Sequence, residues 1–398
     1  MVANGQQPVT YQYDLASRLT QVAQGSLAVA LGYDAANRRI SLAYPNGTST
    51  SYAYDLASRL TNILHNGSGG AVIDAVTYTY DAAGSRKSIQ RANGTASLLP
   101  NAVASAAYDA ANEQTQFSGS TLTYDNNGNL TNDGVNAYQW NARNRLVGIS
   151  GGATASFNYD ALGRRTSKTI NGAILQFLYD GSDITVEIAN GAVGASYLRS
   201  LTIDEPFIRQ TSTGNEHYHI DALGSSLALS NVQGTTATTY AYEPFGKTTV
   251  SGISLNALQY TGREQDVNEV YFYRNRYFPT KFGRFLSEDP LRFGGGDLNI
   301  FAYGRNNPIN TTDAFGLCSN DLEQCMNDFL RSNYGDFVAN TLVPNFALGS
   351  IISDFWPRTR PGRRRSGSRR RRSRIRGRPR AGPPPCSASR SRRRHGGA

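Results

Sequence analysis

Tyr11-Gln12-Tyr13-Asp14-Leu15-Ala16-Ser17-Arg18-Leu19-Thr20 is the stretch from which the rest of the chain can be read. Rings at positions i and i+2 share one face of an extended strand. Asp14 then offers a carboxylate that accepts the backbone N–H two residues on, and Ser17 stands where the loop needs a left-handed residue. Arg18, four residues past the aspartate, is within reach across a tight turn for a charge-assisted bond or for stacking on tyrosine. Leu19 restarts an apolar strand. The unit is a predicted β-hairpin.

The Tyr-Asp dipeptide occurs eight times, at Tyr13, Tyr33, Tyr54, Tyr80, Tyr108, Tyr124, Tyr159 and Tyr179, at unequal intervals of 16 to 35 residues. A second aromatic precedes several of them by two positions, at Tyr11, Tyr52, Tyr78, Phe157 and Phe177. Asp34, Asp55, Asp125 and Asp160 repeat the role of Asp14; Asn37, Ser58, Gly128 and Gly163 repeat that of Ser17; Arg38, Arg59 and Arg164 repeat that of Arg18. Degenerate units follow at Tyr138 to Asn141, His219 to Ser225 and Tyr240 to Gly246. Recurrence at every unit gives these residues an architectural role.

Composition is compatible with this reading, since 39% hydrophobic residues and 40 glycines suit a packed, turn-rich fold. The formal charge of +10 is a property of one end: 17 of the 40 Lys+Arg are arginines between Arg358 and Arg394, so the preceding part carries 23 basic against 30 acidic residues, about −7. Cys318, Cys325 and Cys386 all follow Leu317, which excludes a disulfide-stapled scaffold before it. Met1 to Pro8 carries no signal-peptide pattern, and the stretch from Phe337 to Ile352 is too short and too interrupted to span a bilayer. His217 and His219 alternate onto one strand face and read as a packed core pair, and Gly294-Gly295-Gly296 lacks a phosphate-loop signature. No cofactor and no metal is expected.

From Tyr271 the chain runs YFYRNRYFPTKFGRFLSEDPLRFGGGDLNIFAYGRNNPINTTDAFGL to Leu317. Arg276-Tyr277-Phe278, Gly283 to Pro290 (GRFLSEDP), Phe301-Ala302-Tyr303, Asn306-Asn307-Pro308 and Asp313-Ala314-Phe315-Gly316-Leu317 stand there in an order that resembles the closing segment of the RHS repeat-associated core. The Tyr-Asp array is similar to the YD repeats of RHS, teneurin and insecticidal toxin-complex shells. Together they imply an all-β protein in which an antiparallel sheet of hairpins spirals into a shell. Residues 1–250 would form the YD-repeat array, 251–317 the closing core, 318–356 a variable segment with a short amphipathic helix, and 357–398 a disordered Arg/Pro/Gly/Ser-rich tail. With repeats starting almost at Met1 and uncapped, a partial shell is expected, truncated at its N-terminus. The change at Trp356-Pro357 reads as a frameshift or truncation rather than a selected nucleic-acid-binding arm.

In that family the chain is cut after the closing motif. The resemblance assigns Asp289 and Asp313 as the catalytic carboxyls, Arg276 as their assistant, and Leu317–Cys318 as the scissile bond. Two carboxyls held close together suit the task, because they cannot both ionise: one stays protonated to polarise a carbonyl and the other activates water. Such a protease acts once, on itself. The sequence departs from the family at Pro279-Thr280 and at Ala314, where the closing motif usually has proline. Two other readings stay open. Asp289 and Asp313 could be ordinary turn aspartates of a non-enzymatic adhesion scaffold, or the Cys318 thiol could attack the carbonyl before it in an N-to-S shift. Implied partners are the chain's own C-terminal effector segment, export machinery, other shell subunits or cell-surface glycans, with a secreted or cell-surface location.

Overall fold

The computed structural model describes residues 6–94, 98–100, 102–267 and 269–317; the expected helix after Leu317, the Arg-rich tail and Cys318 lie outside them. Among the described residues the regular structure is antiparallel strand with three short 3₁₀ turns, Tyr260–Gly262, Arg292–Gly295 and Gly304–Asn306. Eight strands from Val9–Tyr13 to Arg86–Arg91 form one meander, and fourteen from Thr123–Tyr124 to Thr248–Ser251 form a second. A three-stranded sheet of Ala106–Tyr108, Gln114–Phe117 and Ser120–Thr121 comes between them in sequence, so the array is two large sheets rather than one continuous ribbon. Every pairing joins strands consecutive in sequence, as expected when local hairpins generate the sheet.

The turn chemistry is as regular as the sequence. In the first unit Asp14 Oδ1 accepts the N–H groups of Ala16 and Arg18 at 2.9 Å, and Ser17 N–H closes on Asp14 C=O at 3.0 Å. Ser17, Asn37, Ser58, Gly128 and Gly163 all take positive φ, between 61° and 80°. Arg18 Nε bonds Asp14 Oδ2 at 2.7 Å, and its guanidinium lies over the ring of Tyr33 in the next unit. Tyr33 in turn donates its hydroxyl to Leu19 C=O at 2.9 Å. Arg38 with Tyr54, Arg59 with Tyr80 and Arg164 with Tyr179 repeat this contact. Each of these four units is therefore fastened to its successor by one cation–π contact and one tyrosine hydrogen bond.

The two rings of a unit part company at a β-bulge. Tyr52 is buried while Tyr54 is half-buried, and the register shifts between Ala53 and Tyr54. The extra residue sets the second ring at the margin of the core, where the neighbouring arginine covers it.

A third element fills the inside. The hairpin of Val270–Tyr273 and Arg276–Pro279 is buried along its whole length. Val270, Phe272 and Tyr277 pack with Leu130, Tyr138, Leu146, Ile149 and Phe157 of the early strands of the large sheet. Tyr271, Tyr273 and Phe278, on the opposite face, pack with Phe177, Tyr197, Tyr218, Leu229 and Tyr240 of its later strands. One sheet thus covers both faces of the hairpin, which is why Val270–Tyr273 and Tyr277–Phe278 show no alternation of apolar and polar residues. Arg165, wholly buried, locks the two together: it pairs with Asp266 and with Glu264 (2.6 Å) and lies over Phe272 at 4.2 Å.

Candidate active site

The closing segment brings Arg276, Asp289, Asp313 and Leu317 to one buried point. Arg276 starts the second strand of the internal hairpin, with its guanidinium 3.7 Å from the Phe285 ring centroid. Its Nη2 contacts Asp289 Oδ2 at 2.8 Å and Asp313 Oδ2 at 3.1 Å, so one nitrogen bridges both carboxyls. Nη1 and Nε donate to Ile300 C=O (2.9 Å) and Gly316 C=O (2.6 Å), which holds the guanidinium plane still.

Asp289 is fixed by its backbone N–H on Ile300 C=O (2.9 Å) and by Oδ1 accepting Leu291 N–H (2.8 Å). Burial raises its pKa to about 7; the Arg276 charge and the Leu291 N–H pull it down, and the neighbouring Asp313 adds to the rise. Asp313 Oδ1 accepts Leu317 N–H at 2.9 Å, and Gly316 N–H closes on Asp313 C=O at 3.1 Å. Gly316 has φ +64°, and a Cβ there would stand 2.5 Å from Tyr273 C=O. Both facts require glycine.

The Leu317 carbonyl oxygen and the Asp289 carboxyl both border Gly295. A Cβ placed on Gly295 would be 2.7 Å from Leu317 O and 2.7 Å from Asp289 Oδ2, so the carbonyl and the carboxyl flank the same small space. The middle glycine of the Gly294-Gly295-Gly296 run keeps that space open, a role the sequence alone did not disclose. Arg274 and Asn275 were also missed; they bond the carbonyls of Ala314 and Phe315. Their signal was present as the tripeptide Arg274-Asn275-Arg276 at a hairpin turn, where arginine is an unusual choice.

The remaining sequence candidates sit elsewhere. His217 and His219 are buried, and His65 lies 5.1 Å from His219 by ring centroids. His219 Nε2 lies 2.9 Å from Ser230 Oγ and His65 Nδ1 2.8 Å from Thr50 Oγ1, while among the described residues His217 Nε2 and His219 Nδ1 are buried without a hydrogen-bond partner. Burial depresses the pKa of His219 well below the usual histidine range and that of His65 to about 3, so both are neutral. Among the described residues no group of three His, Cys, Asp or Glu is placed to hold a metal ion, and no helix is long and apolar enough to cross a membrane.

The profile of the teneurin YD-shell family matches residues 44–309, about two-thirds of the sequence. The chain belongs to that family. Arg276 and Asp289 fall within the match, and Asp313 lies just beyond it. The shell is 31% identical over 256 residues to the tRNA3(Ser)-specific nuclease WapA of Bacillus spizizenii, covering 61% of this chain and 11% of that protein. It is 35% identical over 86 residues to the toxin subunit YenC2 of Yersinia entomophaga, covering 20% of this chain and 9% of the relative. The chain thus spans about a tenth of the length of these relatives. Among solved structures, the Tc holotoxin pore of Photorhabdus luminescens superposes with a TM-score of 0.60 at 20% identity, over 78% of this chain and 20% of that one. The TcdB2–TccC3 crystal structure gives 0.58 at 19% identity, over 78% of this chain and 21% of the other. At those identities the likeness is one of fold: a YD-repeat shell.

Proposed function

We propose that this shell segment cuts its own chain once, between Leu317 and Cys318, and so frees the polypeptide that follows from the shell that presents it. The observation that carries the reading is the Leu317 carbonyl oxygen sharing one small space with the Asp289 carboxyl, while Arg276 Nη2 joins Asp289 to Asp313. With a pKa of about 7, Asp289 is the acid. Asp313, against the guanidinium and the Leu317 N–H, is the carboxylate that serves as base.

In the reaction Asp313 takes a proton from water, and the water oxygen bonds to the Leu317 carbonyl carbon as Asp289 gives its proton to the carbonyl oxygen. The tetrahedral species then breaks its C–N bond. Asp313 returns the proton to the departing Cys318 nitrogen, and Asp289 regains its own from the former carbonyl oxygen as C=O re-forms. One water is consumed, leaving a Leu317 carboxyl and a Cys318 amine. Holding the bond in the same chain as the carboxyls lowers the barrier by up to about 7 to 11 kcal/mol when alignment is good.

The cargo reading draws on the relatives named as a nuclease and as a toxin subunit. On it, the partners are the segment after Leu317 and further shell subunits, and the place of action is outside the producing cell. The test is the intact mass of freshly expressed protein with sequencing of the fragment ends. A body ending at Leu317 and a fragment starting at Cys318 are expected, with Asp289→Asn uncut and Cys318→Ala cut. Wild-type protein that stays whole on prolonged incubation refutes the reading, and loss of cutting in Cys318→Ala alone moves the mechanism to the thiol.

A further inference from the structure

Three consecutive residues of the internal hairpin turn grip three consecutive carbonyls of the closing loop. Arg274 donates from Nη1 to Ala314 C=O. Asn275 donates to Phe315 C=O from both its backbone N–H (3.2 Å) and Nδ2 (3.0 Å). Arg276 donates from Nε to Gly316 C=O at 2.6 Å. The next carbonyl along is that of Leu317, beside Asp289. With one residue of the turn per carbonyl, the register of loop on turn decides which carbonyl reaches the carboxyls.

Arg274 is the outermost rung and is held from several sides. Its Nη2 bonds Asp183 at 2.8 Å and Asp204 at 2.7 Å, its Nε donates to Ser182 C=O at 3.2 Å, and its guanidinium lies 4.9 Å from the Phe315 ring centroid. Asp204 is itself paired with Arg263. The Arg274 backbone is left-handed, at φ +53°, in a two-residue turn between the paired Tyr273 and Arg276, where glycine or asparagine is the ordinary occupant. A strained arginine persists where its surroundings hold it to a task.

We propose that Arg274 is a positioning residue for the self-cleavage read above: through the Ala314 carbonyl and the Phe315 ring it sets the register that places the Leu317 carbonyl, and no neighbouring one, at Asp289. It touches neither the scissile bond nor the carboxyls. Two measurements on the full chain test this. In the first, wild type, Arg274→Ala, Arg274→Gly and Arg274→Lys are followed by intact mass for rate and site of cutting. Arg274→Ala and Arg274→Gly are expected to cut at least about tenfold more slowly and at more than one bond, since displacement of about 1 Å from attack geometry costs up to about a hundredfold. Arg274→Lys, which keeps one donor, should recover the single site at reduced rate. Arg274→Ala cutting only after Leu317 at the wild-type rate overturns the clamp and leaves self-cleavage standing.

The second measurement does not depend on cutting. In an Asp289→Asn chain, amide exchange at Gly316 and Leu317 is expected to quicken at least about tenfold when Arg274→Ala is added, while the amides of the hairpins at Asp34 and Asp55 keep their protection. Unchanged exchange at Gly316 and Leu317 overturns the clamp even if the wild type never cuts. Lost protection at the hairpins as well assigns Arg274 to general folding and also overturns it.

Discussion

The turn at Asp34 and the turn at Asp313 are assembled from the same parts. In each, one carboxylate oxygen accepts the N–H four residues on, from Arg38 at 2.9 Å and from Leu317 at 2.9 Å. In each, the N–H three residues on closes on the aspartate carbonyl, at 3.1 Å for both Asn37 and Gly316. Both third residues are left-handed, at φ +62° and +64°. The other carboxylate oxygen meets an arginine in both. What differs is the setting. The Asp34 side chain is 22% exposed and its arginine comes from its own turn, whereas Asp313 is 2% exposed and its arginine comes from another strand and is shared with a second carboxyl. At the surface this motif is a fastener of modest worth, because water screens the ion pair. Moved inside, with its arginine shared, it stands against Asp289, whose pKa burial raises to about 7. On the proposed reading, this buried turn of the repeat type is also the site of cutting.

That equivalence is broken most severely by the same substitution in both places. Asp313→Asn is expected to lower the rate of cutting by about 10²-fold to 10⁴-fold, the usual scale for a lost acid–base group. Asp34→Asn should cut normally, with a loss of only about 1 kcal/mol in urea denaturation. Cutting in Asp313→Asn at the wild-type rate would mean that the two turns differ in burial only.

Denaturation also separates the two kinds of arginine. Arg165→Ala leaves Glu264 and Asp266 buried with their main partner gone and is expected to cost about 3 to 5 kcal/mol. Arg38→Ala loses a partly exposed pair and a cation–π contact and should cost about 1 kcal/mol or less. Equal losses would show that the internal hairpin is not locked to the sheet through Arg165.

The two sites should answer pH with opposite signs. Asp34 is pulled upward by its partial desolvation, but the Arg38 N–H and guanidinium outweigh this and hold its pKa below the ordinary carboxylate value. Its contribution is present at neutral pH and disappears as pH falls through that depressed pKa. Asp289, raised to about 7, contributes below its unfolded value near 3.8 and loses that contribution as pH rises to about 7. Between about pH 4 and 7 this contribution slopes downward against the rise that the buried neutral His65 and His219 impose, so Asp289→Asn should steepen the climb of stability with pH. Cutting should slow about tenfold per pH unit above about 7, as Asp289 loses the proton it donates. A rate that climbs through pH 8 would exclude Asp289 as the acid.

The smallest effect belongs to Ala314. Proline there fixes φ in the loop that presents the bond and should speed cutting by a few fold, in line with about 0.4 to 1 kcal/mol of chain entropy removed. No gain, with Leu317 still the cut site, would show that the carbonyl contacts from Arg274 to Arg276 already hold the loop.

Much of this was legible because it is local. Aspartate, left-handed residue and arginine recur within five positions, and each was assigned correctly within the turn. The ring that Arg18 covers, Tyr33 of the following unit, could not be named, since the sequence does not say which hairpin lies next to which face. Nor could Arg39 be matched with Glu205 or Arg165 with Glu264, pairs 166 and 99 residues apart. At the site, Asp289, Asp313, Arg276 and Leu317 came from their spacing in a resembling motif. Gly295 and Arg274 did not, because their significance is the space one leaves and the carbonyl the other reaches, and neither quantity exists before the chain is folded.

The unequal intervals between Tyr-Asp dipeptides have a consequence for how such an array tolerates change. Between Tyr33 and Tyr54 and between Tyr54 and Tyr80 the far turn has the same length, residues 44–48 and 67–71, and the second hairpin is longer because its strands are, Leu60–Asn66 and Val72–Tyr80 against Arg39–Ala43 and Ser49–Tyr54. The added length thus extends the strands away from the edge where arginine meets tyrosine, and on that edge Arg18, Arg38, Arg59 and Arg164 make the same contact with the tyrosine of the next unit. Insertion and duplication are absorbed at one margin while the other stays in step, so the sheet can grow or shrink by whole hairpins without renegotiating any contact but the nearest.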